Sequence, residues 1–209
     1  MTTATPNATY AGPADEADLE AAAGAMRASG YQVRRVPDAA AARTAALEVL
    51  PEGAEVFTAS SVSAEAIGLT EEIDHSGHYV ATRPRLLAMD LATQMGEMRR
   101  LGAAPDWVVG SVHALTRDGD LVIASASGSQ LASMAYGAQH VLFVVGAQKV
   151  VPDLGTAMSR VHEYSLPLED ARARAAYGMG SAVHKVLTLH GDFELGRIHV
   201  PLVDEPLGY

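Results

Sequence analysis

Four clusters of small polar residues end or follow segments that predict β-strands, and their residue types suit ligand binding. They lie at 58–63, 110–113, 125–130 and 146–149. Because ligands of open α/β sheets bind beyond the carboxyl ends of the strands, we expect these clusters to share one edge. Glycine allows close approach to the backbone, and hydroxyls with free amides at a helix start bind phosphate or carboxylate. The predicted binding residues are Ser60, Ser61, Gly110, Ser111, Gly128, Ser129, Gln130, Gly146, Gln148 and Lys149.

Two titratable residues beside these clusters are candidates for catalysis, His113 and Asp118. His113 would act as a general base, and Asp118 is the carboxylate nearest to it in sequence. The alternative is a buried histidine with a structural hydrogen bond. Lys149 follows a buried strand, where an amine can meet a carboxylate or phosphate, and Arg83 and Arg85 are placed to do the same from another loop.

Several well-marked sites are absent from the sequence. It has neither G-x-G-x-x-G nor G-x-x-x-x-G-K-[ST], so we predict neither a standard dinucleotide fold nor a P-loop. It has no G-x-S-x-G nucleophile elbow. The chain lacks cysteine, which excludes disulfides, thiolate nucleophiles and cysteine-bound iron–sulfur clusters. The spacing of its histidines predicts no metal site, and no cofactor is identified.

Charge and hydropathy narrow the classes of partner. The 209 residues carry a formal net charge of −10, which argues against a broad basic surface for nucleic acid. The first residues lack the basic and apolar regions of a secretory signal, and no apolar run approaches the roughly 20 residues of a membrane span. We expect a cytoplasmic protein without membrane insertion that binds a small anion.

The order of the predicted elements indicates an α/β fold. Strands alternate with helices along the chain, which predicts a doubly wound sheet with helices on both faces. Asp118-Gly119 between two β-rich runs predicts a hairpin, so we expect one mixed sheet. We predict a flexible tail over 1–14 and a single domain over 15–209. A homodimer formed through a sheet edge is compatible with this pattern.

A helix with one apolar face is predicted between residues 87 and 101. Leu87, Leu91, Met95, Met98 and Leu101 recur at steps of four, four, three and three. Methionine is a common filler of protein interiors, so we expect Met95 and Met98 to pack in the core.

Longer segments of the sequence resemble a known family. Residues 104–130 read APDWVVGSVHALTRDGDLVIASASGSQ and 137–154 read GAQHVLFVVGAQKVVPDL. Residues 164–178 read YSLPLEDARARAAYG and 203–209 read VDEPLGY. Together they resemble the LUD domain, the lactate-utilisation family that includes LutC- and YkgG-like proteins. The resemblance implies a three-layer α/β/α sandwich with a mostly parallel mixed sheet, similar to the NagB/RpiA/CoA-transferase-like fold.

The resemblance also implies a function. LutC-like proteins work with partners that carry iron–sulfur clusters and oxidise L-lactate to pyruvate, and a chain without cysteine fits a subunit that carries no cluster. In the larger fold group, aspartates like Asp106 and Asp118 shape a substrate pocket. Two alternatives remain: a free-standing CoA-transferase-like or isomerase-like enzyme for a small phosphate- or carboxylate-bearing substrate, and a structural or regulatory protein without a ligand.

Overall fold

The computed structural model describes residues 4–209, in which helices surround two β-sheets. The helices are α1 Glu16–Ala28, α2 Ala39–Val49, α3 Val62–Ala66, α4 Leu69–His75, α5 Thr82–Leu87, α6 Met95–Ala103, α7 Leu154–Arg160 and α8 Leu166–Tyr177. The strands are β1 Gln32–Val36, β2 Glu55–Thr58, β3 Val80–Ala81, β4 Trp107–Gly110, β5 Ala114–Thr116, β6 Leu121–Ser125, β7 His140–Phe143, β8 Val145–Gly146, β9 Val150–Val151, β10 Lys185–Leu189 and β11 Ile198–Val203.

The larger sheet is parallel throughout. Its strand order is β1-β11-β7-β4-β2-β3, and β8 also pairs with β11. The registers Trp107↔His140 and Val56↔Trp107 align its central strands. Their carboxyl ends therefore meet at one edge, which confirms the predicted mostly parallel α/β fold.

The predicted hairpin forms, but it belongs to a second sheet of order β10-β6-β5-β9. Strands β5 and β6 are antiparallel across a turn at which Gly119 has φ +89°. A Cβ at Gly119 would lie 2.9 Å from the backbone nitrogen of Met26, so the turn packs directly onto α1. The antiparallel element that this hairpin adds therefore lies in a sheet of its own, over the parallel sheet instead of at its edge.

Alternate residues of the parallel strands contribute to two separate cores. Val108 of β4 packs with α1 and the second sheet, whereas Trp107 and Val109 pack on the opposite face with α2, α3 and α4. Helices thus cover both faces of the parallel sheet, which gives the three-layer arrangement. A third cluster joins the second sheet to α7.

The apolar pattern at 87–101 does not form one helix. The chain leaves α5 after Leu87 and re-enters a helix at Met95. In between, the carboxylate of Asp90 accepts the backbone N–H of Ala92 at 2.9 Å, and this local turn competes with the helix. The relative exposures of Leu87, Leu91 and Met95 are 75%, 63% and 40%, so the expectation that Met95 is a core residue was wrong.

Part of the predicted N-terminal tail is docked on the body of the protein. Residues 1–3 lie outside the described residues, while Ala8–Tyr10 form a 3-10 helix. The backbone N–H of Asn7 donates to the carbonyl of Glu163 at 2.9 Å. That carbonyl is available because Pro167, four residues later, has no N–H to donate. The flexibility of the tail and the single domain over 15–209 stay predictions.

A π-helix, Val161–Ser165, links α7 and α8 just before Pro167. Within residues 4–209, none of the helices has both the length and the hydrophobicity that crossing a bilayer requires.

Candidate functional site

A cleft of about 490 Å³ opens at the carboxyl edge of the parallel sheet. This volume is in the range of small-molecule pockets. The loop after β2, Ser111 after β4 and Lys149 form its inner end, and α8 with the segment before β10 forms the facing wall. Of the predicted site residues, seven line the cleft: Ser60, Ser61, Ser111, His113, Ser129, Gln130 and Lys149.

Lys149 lies at the inner end of the cleft and is only 1% exposed. Its Nζ donates to the hydroxyls of Ser63 at 2.8 Å and Ser111 at 2.9 Å. Those hydroxyls donate their own hydrogens to the carbonyls of Leu207 at 3.0 Å and Val144 at 2.6 Å, so they serve the lysine only as acceptors. No carboxylate among residues 4–209 forms an ion pair with Lys149. Burial lowers the pKa of Lys149 well below its usual range, and the nearby charge of Arg160 lowers it further.

Arg160 is fully buried behind the cleft and fixes two of its segments. Its Nε donates to the carbonyl of Gln148 at 3.1 Å, and its Nη1 donates to the carbonyl of His113 and to the hydroxyl of Ser165. The guanidinium lies 5.0 Å from the ring centroid of Tyr164, within the range of a cation–π contact. Burial lowers the pKa of Arg160 to about 10, which leaves it charged near neutral pH. Carbonyls and an aromatic ring, rather than a carboxylate, surround this cation.

His113 is partly buried, and one of its ring nitrogens has a fixed role. The backbone N–H of Ala124 donates to Nδ1 of His113 at 3.1 Å, so the neutral ring carries its hydrogen on Nε2. Burial lowers the pKa of His113 to about 4, and the charges of Lys149 and Arg160 act in the same direction. The ring is therefore neutral at pH 7 and presents a donor.

The pairing expected between His113 and Asp118 is not formed. Asp118 is exposed on the hairpin turn and does not line the cleft. A turn that packs on α1 points its residues away from the carboxyl edge of the sheet. The cleft carboxylate whose charge acts on His113 is Glu169, which counteracts the lowering of its pKa.

Glu169, Arg172 and Tyr209 form a closed polar group on the facing wall. Arg172 donates to both oxygens of Glu169, at 2.8 and 2.7 Å, and the hydroxyl of Tyr209 donates to Oε2 at 2.6 Å. Burial alone would raise the pKa of Glu169, but the hydrogen bonds from Arg172 and Tyr209 outweigh it and lower that pKa. Glu169 is thus an ionised carboxylate whose charge is compensated locally.

The serine-rich loops contribute hydroxyls whose bonds are mainly local. Ser125 accepts the backbone N–H of Gly128 at 2.8 Å and donates to the side-chain oxygen of Gln130 at 3.1 Å. Ser127 and Ser129 bond to each other at 3.0 Å near the rim. After β2, Ser61 caps α3, while Ser60 is exposed.

Four predicted binding residues have packing roles outside the cleft. Gly110 lies against Met134, whose Cε would be 2.8 Å from an added Cβ, and Gly128 lies against the side chain of Lys185. A Cβ at Gly146 would lie 2.4 Å from the backbone nitrogen of Leu207. Gln148 is 3% exposed and holds the same segment: its Nε2 donates to the carbonyl of Gly208 at 2.9 Å, and its Oε1 accepts the N–H of Leu207 at 3.0 Å. The structure therefore does not place these four residues in the lining of the cleft.

Asp106, implied by the resemblance to shape a pocket, lies at the opposite end of β4. It accepts the backbone N–H of Glu55 at 3.2 Å and the side-chain amide of Gln139 at 2.8 Å. Sequence reasoning instead missed Ser63, Glu169, Arg172 and Tyr209. Within residues 4–209, no group of three or more His, Asp or Glu side chains is arranged to hold a metal ion.

Arg83 adds a positive charge to the cleft wall. Its Nη1 donates to the carbonyl of Thr58 at 3.3 Å, and within the described chain it forms no ion pair. Arg160 behind the cleft and Arg83 in its wall together make this end of the cleft cationic. This arrangement suits a ligand that carries a carboxylate or phosphate.

Comparison with known proteins identifies a family and solved structures that this chain resembles. The family described as the LUD domain matches residues 19–185. The crystal structure of a DUF162 family protein from Deinococcus radiodurans has a TM-score of 0.54 and 14% identity, covering 91% of this chain and 99% of that one. The beta subunit of eIF2B from Chaetomium thermophilum gives a TM-score of 0.31 at 14% identity, over 66% and 44% of the two chains. No curated protein matches this sequence.

Proposed function

We infer the function from one premise: the chain belongs to the LUD domain family, a family associated with lactate utilisation. We propose that it is a LutC-like subunit of a system that oxidises L-lactate to pyruvate. In this role it binds a small carboxylate in the cleft and leaves the iron–sulfur clusters to partner subunits. The absence of cysteine supports that division of labour and a cytoplasmic location.

The observation that carries the proposal is the uncompensated positive charge at the inner end of the cleft. Arg160 is buried without a carboxylate partner, and Arg83, which forms no ion pair among the described residues, lines the cleft wall. Burying charges without compensation is costly, so a bound anion would relieve this cost. Leu86, Leu87 and other apolar side chains line the outer part of the cleft. The cleft is therefore larger than a three-carbon acid requires.

Calorimetric titration with L-lactate and pyruvate tests the binding. We expect saturable binding by the wild-type protein and weaker binding by Arg83→Gln, with affinity decreasing as salt rises. Arg85→Gln is the matched control, because Arg85 is paired with Glu55 at 2.9 Å. Equal affinities for the wild type and Arg83→Gln would contradict the role of this cleft.

Co-expression with the cluster-bearing proteins of a lactate-oxidising system tests the assembly. We expect a complex on size-exclusion chromatography and lactate-dependent electron transfer that requires this chain. Free chain that elutes alone or as a homodimer, with full activity of the other subunits, would contradict the subunit role.

A free-standing enzyme is the second candidate, because His113, Ser129 and Lys149 do line one cleft. It predicts turnover of a small phosphate- or carboxylate-bearing substrate by the purified chain without partners. Loss of that turnover in His113→Gln, with binding retained, would favour this alternative.

A further inference from the structure

The inner end of the cleft holds an amine in surroundings that suit covalent chemistry. We propose that Lys149 forms an imine with the carbonyl group of a small 2-oxo acid bound in the cleft. The inference deepens the proposed function, on which it rests for the ligand class, because the product of lactate oxidation is a 2-oxo acid.

The first support is the hydrogen bonding of the amine. Lys149 donates to the hydroxyls of Ser63 and Ser111, and each of these hydroxyls donates its own hydrogen to a backbone carbonyl. Two N–H bonds of the lysine are therefore oriented by fixed acceptors, and neither acceptor can donate to the nitrogen. The lone pair of a neutral amine is left for a group that enters the cleft.

The second support is the electrostatic setting. Lys149 is 1% exposed and lacks a carboxylate partner, while buried Arg160 bonds the carbonyl of the adjacent Gln148. A second cation so close to the amine disfavours a charged ammonium, and burial lowers the pKa of Lys149 in the same sense. Desolvation next to another cationic group is an established way to activate a lysine nucleophile.

The third support is the donor beside the amine. His113 lines the same cleft and carries its hydrogen on Nε2, because Nδ1 accepts from Ala124. A neutral N–H donor suits an oxygen that gains negative charge during attack. Arg160 also bonds the carbonyl of His113, so one guanidinium positions both the donor and the amine.

The reaction needs no oxidant, reductant or third component. The lone pair of Nζ attacks the carbonyl carbon, a C–N bond forms, and the π electrons of the carbonyl move to its oxygen. The C–O bond then breaks and a C=N bond replaces it. The oxygen leaves as water, and the two hydrogens lost by the amine balance those of the water. The carboxylate of the acid would meet the positive charge of the cleft.

The composition of the chain makes a direct test possible. Lys149 and Lys185 are the only lysines in the sequence. Lys185 is exposed and donates to the carbonyl of Ser127 at 2.8 Å, so it is the matched control amine. Wild-type protein is incubated with pyruvate and sodium cyanoborohydride, and intact mass followed by peptide mapping locates the reduced adduct.

We expect one adduct per chain, located on Lys149, with none formed from L-lactate, which has a hydroxyl in place of the keto group. Lys149→Met and Lys149→Arg should lose the adduct, whereas Lys185→Met should keep it. An adduct only on Lys185 or the terminal amine would overturn the inference, and mapping of the wild type decides this even if a Lys149 variant does not fold. Pyruvate binding without an adduct would overturn the imine and leave the proposed function intact. An adduct on Lys149 in a chain that never joins a lactate-oxidising complex would uphold the imine and contradict the proposed function.

Discussion

The protonation state of Lys149 can be measured through the pH dependence of stability, with Lys149→Met as the perturbation. The native amine has a pKa well below its ordinary value of 10.5, whereas the unfolded chain has the ordinary value. Between these two values the unfolded state binds one more proton than the native state. The free energy of unfolding must therefore rise with pH in this window and fall as the solution is acidified.

The size of the effect follows from one linked proton. While the native amine is neutral and the unfolded one is charged, the contribution changes by about 1.4 kcal/mol per pH unit. Urea unfolding of wild type and Lys149→Met is measured from pH 6 to pH 10, and the difference between the two proteins is plotted. We expect the free energy of unfolding of the wild type to rise relative to that of the variant at every pH step within this window. Below the native pKa of Lys149 the difference should become constant, and this break gives that pKa.

Subtraction removes the other titrating groups, such as Tyr31 and Tyr209, whose pKa values burial raises in both proteins. Lys185→Met, which removes the other lysine at an exposed site, is the matched control variant. A constant difference between wild type and Lys149→Met over the whole range would refute the reasoning. It would mean that Lys149 is an ordinary charged lysine in the native state, and the imine would lose its nucleophile.

Three other perturbations test the support of the cleft. Arg160→Met removes three hydrogen bonds and leaves buried carbonyls unpaired, so urea unfolding should show a loss of about 3–5 kcal/mol. Gly208→Ala places a Cβ 2.4 Å from Oγ of Ser63 at φ +67°, and it should lower the free energy of unfolding by about 2–4 kcal/mol. Gly53→Ala, at φ +79° with no atom within 4 Å of the added Cβ, should lower it by about 1–2 kcal/mol. A proton NMR titration should place the midpoint of His113 near pH 4, and the free energy of unfolding should fall on acidification between pH 6.5 and 4, because only the unfolded histidine is then protonated.

Each of these has an outcome that would count against it. Arg117→Met, which removes an exposed ion pair with Asp18, should cost less than about 1 kcal/mol, and an equal loss in Arg160→Met would show that Arg160 does not fix the cleft. Equal costs for the two glycine variants would mean that Ser63 yields to the added methyl group. A His113 midpoint near its ordinary value of 6.5 would show that burial and the neighbouring cations do not lower its pKa.

The inner end of the cleft was predictable from sequence because it depends on local pattern and strand direction. Buried apolar runs identify β2, β4 and β7, and parallel strands must bring the residues after them to one edge. Ser60, Ser61, Ser111 and Lys149 follow from this rule alone. The same rule did not separate glycines that face a ligand from Gly110 and Gly146, because close packing and ligand approach both require a missing Cβ.

The facing wall was not predictable, because its residues come from elements with no positional rule. Glu169 and Arg172 lie on α8, whose surface pattern is that of an ordinary charged helix, and Tyr209 reaches them only after Gln148 fixes the preceding segment. Asp118 failed as a partner for the opposite reason. It is near His113 along the chain, but the turn between β5 and β6 places it away from the carboxyl edge of the parallel sheet.

The cationic inner end of the cleft also explains why net charge was a poor indicator of the site. The chain has a formal charge of −10, yet that sum does not say where charges lie. Carboxylates such as Glu16 and Asp204 are paired with Arg35 elsewhere, and Glu169 in the cleft is paired with Arg172. The buried cation Arg160 instead contacts two carbonyls, a hydroxyl and an aromatic ring, which carry no full charge. A carboxylate ligand would therefore supply the negative charge that the protein does not place beside Arg160. A 2-oxo acid also contains the keto carbonyl that a neutral lysine can attack.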